Sequence, residues 1–429
     1  MARSPFTLAA SVSSALPGAA VVGAAELTER ADGRYDSALV TLEDGRRVVV
    51  RVPVDVDADL ELVADTRALR ALTPGVRGLL PFEAPTVLGT ARMGGFTAVV
   101  QEYVPGYRVE AGHIPPGRGA AWSLGSAIAR VHALPHAVAR DAGLRTRTSA
   151  EVRQDAERLL DRAEATGSLP FGLLRRWSTA LGEDRLWRFE ATVTLGGVDP
   201  GRFVLSDTAA GPTVTGLLAW HGLGVGDPAE DLRWLASAPD ARDDVLAAYA
   251  EAAHHTPDAA LAARSRLYAE LEFARWLAHG HETGAQRVVE DAVALLTALD
   301  DGVRDEPLLP EDYSTVDDAL ELLGRTPAAV SAGDTSMQTD TYDPALLAAY
   351  LADQDTAEQA DIETIPIDLS DWTPEGASSD RRGDTGAVPT VASAVPSGTP
   401  AGSSADDADD PEHAEAARNA LRRWSSSAD

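Results

Sequence analysis

Thr194-Leu-Gly-Gly-Val-Asp-Pro-Gly-Arg-Phe-Val-Leu205 is the stretch on which the reading of this chain turns. It runs from a tight loop holding Gly196 and Gly197 into a short apolar strand at Arg202–Ser206, and a second short strand follows at Thr213–Leu218. Gly216-Leu-Leu-Ala-Trp220 closes that pair. Gly226-Asp-Pro-Ala-Glu-Asp-Leu232 comes next, and its Asp-Pro step reads as a helix start.

Long helical patterns surround this hairpin: Ala120–Leu134, Ala150–Ala165, Phe171–Gly182, Ala241–His254, Asp258–His279 and Ala285–Leu299. Residues 1–110 read differently. Phe6–Leu16 is a short amphipathic helix, and Ala20–Glu29, Arg34–Leu42 and Arg46–Val54 alternate as strands, with Glu43-Asp44-Gly45 as a hairpin turn. Asp57–Leu72 has helical periodicity through Leu60, Leu62, Val63, Leu69 and Leu72; Thr86–Leu88 and Phe96–Tyr103 supply two further strands. The expected architecture is a β-rich lobe (1–110), a helical lobe (111–304) and a tail (305–429).

Charge separates the tail from the rest. The 429 residues carry 67 acids and 37 bases, a net −30 that disfavours nucleic acid and anionic membrane as partners. From Asp305 to Asp429 there are 27 acids and 6 arginines, so −21 of that charge lies in the tail. The tail is also rich in Pro, Gly, Ser and Asp and poor in aromatics, which predicts disorder. Segments 316–323, 344–351, 362–372 and 414–424 carry short apolar patterns and are its candidate protein-binding motifs. All bases are arginines, so no Schiff-base or phosphate-gripping lysine exists; with no cysteine, thiol chemistry and disulfides are excluded. Phe6–Ala25 imitates a secretory signal, but Pro17 and Gly18 split it and only Arg3 is basic. No apolar run approaches the ~18 residues of a membrane span. The expectation is a cytoplasmic protein.

The ordered combination of the loop, Leu218-Ala219-Trp220, Gly226–Leu232 and Tyr268–Gly280 resembles the aminoglycoside and macrolide phosphotransferases of the kinase-like superfamily, over about residues 1–300. The resemblance implies an α+β, bilobal protein-kinase-like (aminoglycoside phosphotransferase-like) fold, to which composition adds a disordered acidic C-terminal tail. That family's loop reads His-Gly-Asp-Leu-x-x-x-Asn and its metal segment Ile-Asp-Trp. Phosphoryl transfer of this type relies on a positioned Asp and on oxygen ligands that hold Mg²⁺ against the nucleotide phosphates.

Carried over residue by residue, the resemblance puts Gly197 at the position of the catalytic Asp, Arg202 at the metal-binding Asn and Ala219 at the principal metal Asp; Leu195 replaces the loop histidine. A guanidinium has only donors, and a methyl group has no ligand atom. Asp227 and Asp231 match structural positions that brace the loop. Arg51, in Val48-Val-Val-Arg-Val-Pro53, stands where a base would meet nucleotide phosphates, and Asp65 stands near its acidic partner; an ordinary strand-to-helix salt bridge explains that pair equally well. The phosphate-covering segment Arg30–Asp36 has a single glycine.

The leading expectation is therefore a catalytically degenerate, pseudokinase-like protein that binds a ligand or partner, with no confident cofactor. The alternative is an active ATP/Mg-dependent small-molecule O-phosphotransferase in which Asp199 serves as a displaced base, with Asp207 or Asp227 as metal ligand. A further route turns Arg202 into a direct phosphate or carboxylate binder. His279-x-His281-Glu282 reads as an exposed helix end, and His221 as a core-edge residue.

Overall fold

The computed structural model describes residues 3–27, 33–209 and 211–308. The first lobe opens with α1 (Pro5–Ala15), whose N-cap Ser4 accepts the Thr7 amide. A five-stranded antiparallel sheet follows: β1 (Val21–Glu26), β2 (Tyr35–Leu42), β3 (Arg47–Pro53), β4 (Val87–Met93) and β5 (Phe96–Glu102), in the order β1-β2-β3-β5-β4. Between β3 and β4 lie α2 (Val56–Ala71), capped by Asp55, and the single turn α3 (Pro74–Arg77).

Strand alternation assigns the two faces of this sheet. Val48, Val50 and Val52 of β3 bury against Leu8 and Val12 of α1, together with Val40, Ala98 and Val100. Arg51 is therefore turned to the opposite face, where it is nearly buried, as is Asp65 of α2. Strand β4 is longer than Thr86–Leu88 because it pairs with β5 from Val87 to Met93 around a bulge, with Gly94 and Gly95 forming the turn. Its Thr-Ala-Arg stretch carries little strand signal alone, so pairing with β5 supplies what propensity does not.

The second lobe is helical: α4 (Ala120–His132), α5 (Ala137–Asp141), α6 (Ser149–Ala165), α7 (Phe171–Gly182), α8 (Arg242–Ala252), α9 (Leu261–Thr283) and α10 (Gln286–Gly302). Thr148 and Glu151 form a capping box at the start of α6, and Gly284 ends α9 in the left-handed conformation. Its core gathers Leu124, Ile128, Trp177, Phe203 and Trp220, all fully buried. The core continues through Val303 to Leu308, four residues past 304, the expected end of the helical lobe.

Inside this lobe β7 (Phe203–Thr208) pairs with β8 (Gly211–Leu217), matching the hairpin expected from the sequence. A second pair escaped sequence reading: β6 (Thr192–Thr194) with β9 (Gly224–Gly226), three residues each and too short to show a period. It sets Thr194 opposite Gly224 and brings the Leu195 carbonyl against Gly222, which fixes the start of the loop to the segment that precedes β9. The Asp-Pro step opens a 3₁₀ segment, Pro228–Ser237, in place of the expected α-helix.

Backbone bonds join the lobes at two points. Tyr107 and Leu205 exchange amide and carbonyl at 2.9 and 2.8 Å, and Glu83 inserts between Thr215 and Leu217 with both bonds at 2.9 Å. The tail segments 316–323, 344–351, 362–372 and 414–424, and residues 30–32 of the phosphate-covering segment, lie outside the described residues.

Helices α4 and α8 touch at Gly125, where an added Cβ would overlap the Val245 carbonyl. A methyl group there must force two packed helices apart, against a helix-propensity gain of only about 1 kcal/mol. Gly125→Ala is expected to destabilise the protein by about 1–3 kcal/mol, read from the urea midpoint.

Candidate functional site

The loop at 195–202 owes its shape to one carboxylate. Asp231, fully buried in the 3₁₀ segment, accepts the Leu195 and Gly197 amides at 2.6 Å each and the Val198 amide at 3.4 Å. His132 of α4 approaches the same carboxylate through Nε2 at 3.0 Å and meets the Tyr249 hydroxyl through Nδ1 at 2.8 Å. Burial, then the neighbouring Asp231, raises the Tyr249 phenol above its usual range. An ionised carboxylate only accepts, so Nε2–H of His132 points at Asp231.

Asp227 anchors the other end of the segment. It caps Ala229 at 2.9 Å, takes Arg264 Nε at 2.7 Å and Nη2 at 3.1 Å, and accepts the Tyr268 hydroxyl at 2.7 Å. Burial alone would lower the Arg264 pKa, but hydrogen bonds and charge from Asp258 and Asp227 outweigh it and the net shift is upward. Arg264 also stacks over Phe189 at 4.4 Å. Both aspartates named in the sequence as braces are thus fully engaged with the scaffold, which leaves Asp227 no oxygen to offer a metal.

Gly196 and Gly197 both have positive φ, +71° and +89°. A Cβ on Gly197 would lie 2.6 Å from Cζ and 2.7 Å from Nη1 of Arg233, so this guanidinium fills the space into which a side chain at position 197 would project. Arg233 pairs with Glu272 at 3.4 Å. Nothing in the sequence pattern marks Arg233, two positions after Asp231; it becomes visible only when the loop folds onto that segment.

The remaining positions carry equally little ligand chemistry. Ala219 is half-buried, and the neighbouring Leu218 amide donates to the Arg202 carbonyl at 3.0 Å. Asp199 is exposed and turns back on its own loop, accepting the Gly201 amide at 2.7 Å. Asp207 lies at the end of β7, where its carboxylate accepts the Tyr107 hydroxyl at 2.7 Å. Among the described residues no group of three or more His, Asp or Glu converges on one point. Mg²⁺ needs near-octahedral oxygen coordination, and the side chains at 197, 202 and 219 supply no oxygen, so they do not fit that ion.

Arg51 and Asp65 are brought together, with Asp65 acting as a clamp between the lobes. Its Oδ1 accepts the Trp220 amide at 2.7 Å while Gln101 reaches Oδ2 at 3.4 Å. Burial pushes the Asp65 carboxyl above its usual range, and Arg51 and the Trp220 amide pull it partly back. His221, beside Trp220, is 42% exposed and faces Glu61 at 3.7 Å, so it is a surface residue and not part of the core edge. Leu60 and Val63, which belong to the helical period of α2, are likewise exposed. They help form one wall of a cavity of about 890 Å³ between α2, α6 and the segments at 143–147 and 221–225.

A sheet lobe, a helical lobe and a braced loop between short strand pairs define a bilobal kinase-like fold. The chain belongs to the phosphotransferase enzyme family, whose model matches residues 26–268. The fold is shared with a macrolide 2′-phosphotransferase from Brachybacterium faecium (23% identity, 65% of this chain and 93% of that one, TM-score 0.55). It is also shared with aminoglycoside 2′-phosphotransferase-IIIa in its GDP complex (16% identity, 70% and 99%, TM-score 0.58). No curated protein sequence matched.

Removing Asp231 leaves three loop amides and His132 without their acceptor, and buried unpaired donors are costly. Asp231→Ala is expected to lower unfolding stability by about 3 kcal/mol or more. Asp199→Ala, which removes only an exposed turn cap, should cost less than about 1 kcal/mol. Chemical denaturation of both variants makes the comparison, and equal losses would contradict the assigned roles.

Proposed function

We propose that this phosphotransferase-family protein works by binding a ligand or a partner and does not carry out Mg²⁺-dependent phosphoryl transfer. The observation that carries this reading is the Arg233 guanidinium beside Gly197. Transfer to a hydroxyl calls for a proton acceptor that orients the nucleophile. Here the space holds a permanent cation with donors only. Ala219 and Arg202 add a methyl group and a second cation at the positions where the family resemblance puts metal ligands.

Three changes in one constellation act together, because base, metal and phosphate are positioned as a unit. The rival reading, an active kinase with Asp199 as base, draws no support from the geometry: that carboxylate is bound to the Gly201 amide and directed along its own loop. Displacement of a catalytic group by even 1 Å costs about 10²-fold in rate. Meanwhile the scaffold groups Asp227, Asp231 and Asp65 keep their full sets of partners, consistent with a fold maintained for recognition.

Incubation of the full chain with radiolabelled ATP, Mg²⁺ and a panel of aminoglycosides, macrolides and sugars is expected to yield no labelled product. Gly197→Asp alone is expected to stay inactive, since the new carboxylate meets Arg233 and sits at φ +89°. Robust Mg²⁺-dependent turnover by the wild type would overturn the proposal.

A further inference from the structure

The cavity beside the loop is basic, in a protein whose net charge is −30. Arg67, Arg145, Arg147, Arg158, Arg162 and Arg275 line it against two carboxylates, Asp155 and Glu230. Asp155 is shared by three of the arginines: Arg145 at 2.8 Å, Arg147 at 3.6 Å, and Arg158. Glu230 takes Arg147 at 2.7 Å, and Arg67 donates to the Ala142 and Gly143 carbonyls at 2.8 and 2.9 Å. Arg162 and Arg275 reach acids at the rim, Glu282 and Glu272, at 3.3 and 3.2 Å.

A guanidinium offers five N–H donors and a carboxylate about four acceptor sites, so one Asp155 leaves most of its three partners' donors unused. Arg147 Nε is buried with no hydrogen-bond partner. Three cations converging on one carboxylate are stabilised by a second anion, and paired arginines match phosphate and carboxylate oxygens in geometry. The opposite wall is apolar. Leu60 and Val63 are 64% and 54% exposed and line the same cavity, whose volume of about 890 Å³ suits a small organic molecule. Arg275 also shares Glu272 with Arg233, so the basic lining extends to the space beside Gly197.

We propose that this cavity binds a small organic anion, its phosphate or carboxylate group held by Arg145, Arg147, Arg158 and Arg162 and its apolar part laid on Leu60 and Val63. The inference deepens the ligand-binding reading above by naming the chemistry of the ligand, and rests on that reading for its purpose. A binding measurement separates the two. Turnover with ATP would remove the non-catalytic reading and leave the anion site standing; absence of anion binding would remove the site and leave the non-catalytic reading standing.

The test is isothermal titration calorimetry on the full chain without metal, using inorganic phosphate, phenyl phosphate and benzoate. The two aromatic probes distinguish a phosphate from a carboxylate ligand, and inorganic phosphate isolates the contribution of the apolar wall. One saturable site per chain is expected, with phenyl phosphate or benzoate binding more tightly than inorganic phosphate. Arg158 and Arg162 are 58% and 55% exposed, so the double variant Arg158→Ala/Arg162→Ala should fold normally. It is expected to weaken binding about tenfold or more. Asp155→Asn removes the competing carboxylate and is expected to tighten it. Failure of all three probes to saturate, or affinities unchanged in both variants, would overturn the proposal.

Discussion

A buried carboxylate has to be paired, and that constraint shapes the centre of this molecule. Asp231 has no solvent to turn to, so its oxygens must be met by donors from the chain. Leu195, Gly197 and Val198 supply three backbone amides and His132 a fourth group. Because three of the four donors are main-chain N–H groups, the brace itself asks for no particular side chain at position 197. The brace therefore accounts for how a loop of this family's shape persists without the family's acid. His132 extends the same network to Tyr249 on α8, which ties the loop to the tightest helix contact of the second lobe.

The segment that supplies the brace also brings a guanidinium beside Gly197. Asp231 and Arg233 lie two residues apart on one 3₁₀ segment, and both point at the loop. The carboxylate fixes the backbone of Gly197 while the guanidinium occupies the space a side chain there would need. Without a Cβ, Gly197 tolerates both the positive φ and the nearby cation. An acid at 197 would gain an ion pair with Arg233 and lose its freedom as a base by the same contact. Asp65 plays a parallel part between the lobes: a nearly buried carboxylate tying Arg51, Gln101 and the Trp220 amide together positions the chain just after Ala219.

The fold was legible because its signals are local and periodic. Alternating Val residues in β3 and the 3.6-residue stripes of α4, α6, α7 and α10 survive without tertiary knowledge, and Asp227 and Asp231 stand in an Asp-Pro context that marks a structural turn. The departures of Gly197, Arg202 and Ala219 from the family pattern are departures of sequence, read against a fixed spacing. Features that depend on long-range packing were not legible. Arg233 reaches the loop from 36 positions beyond Gly197 in the chain, and the partners of Glu270 (Arg176, Trp177 and Arg266) come from two helices brought together only by folding. The exposure of Leu60 and Val63 was not legible either, because helical periodicity cannot tell an apolar residue facing a core from one facing a cavity.

Arginine chemistry connects the altered loop to the cavity beside it. The chain has no lysine, so every basic contact is made by a planar group that can share one carboxylate with a neighbour and still direct donors elsewhere. Glu272 holds Arg233 on one side and Arg275 on the other, and Asp155 gathers Arg145, Arg147 and Arg158. Each acid keeps guanidiniums closer together than their mutual repulsion would otherwise allow. The same arrangement that places positive charge beside Gly197 thus sustains a basic surface along α6 and α9. A cation-binding, metal-dependent centre and an arginine-lined cavity make opposite electrostatic demands on the same few ångströms of protein. Gly197, Arg202 and Ala219 bring no side-chain oxygen to the first demand, and the guanidiniums gathered on Asp155 suit the second.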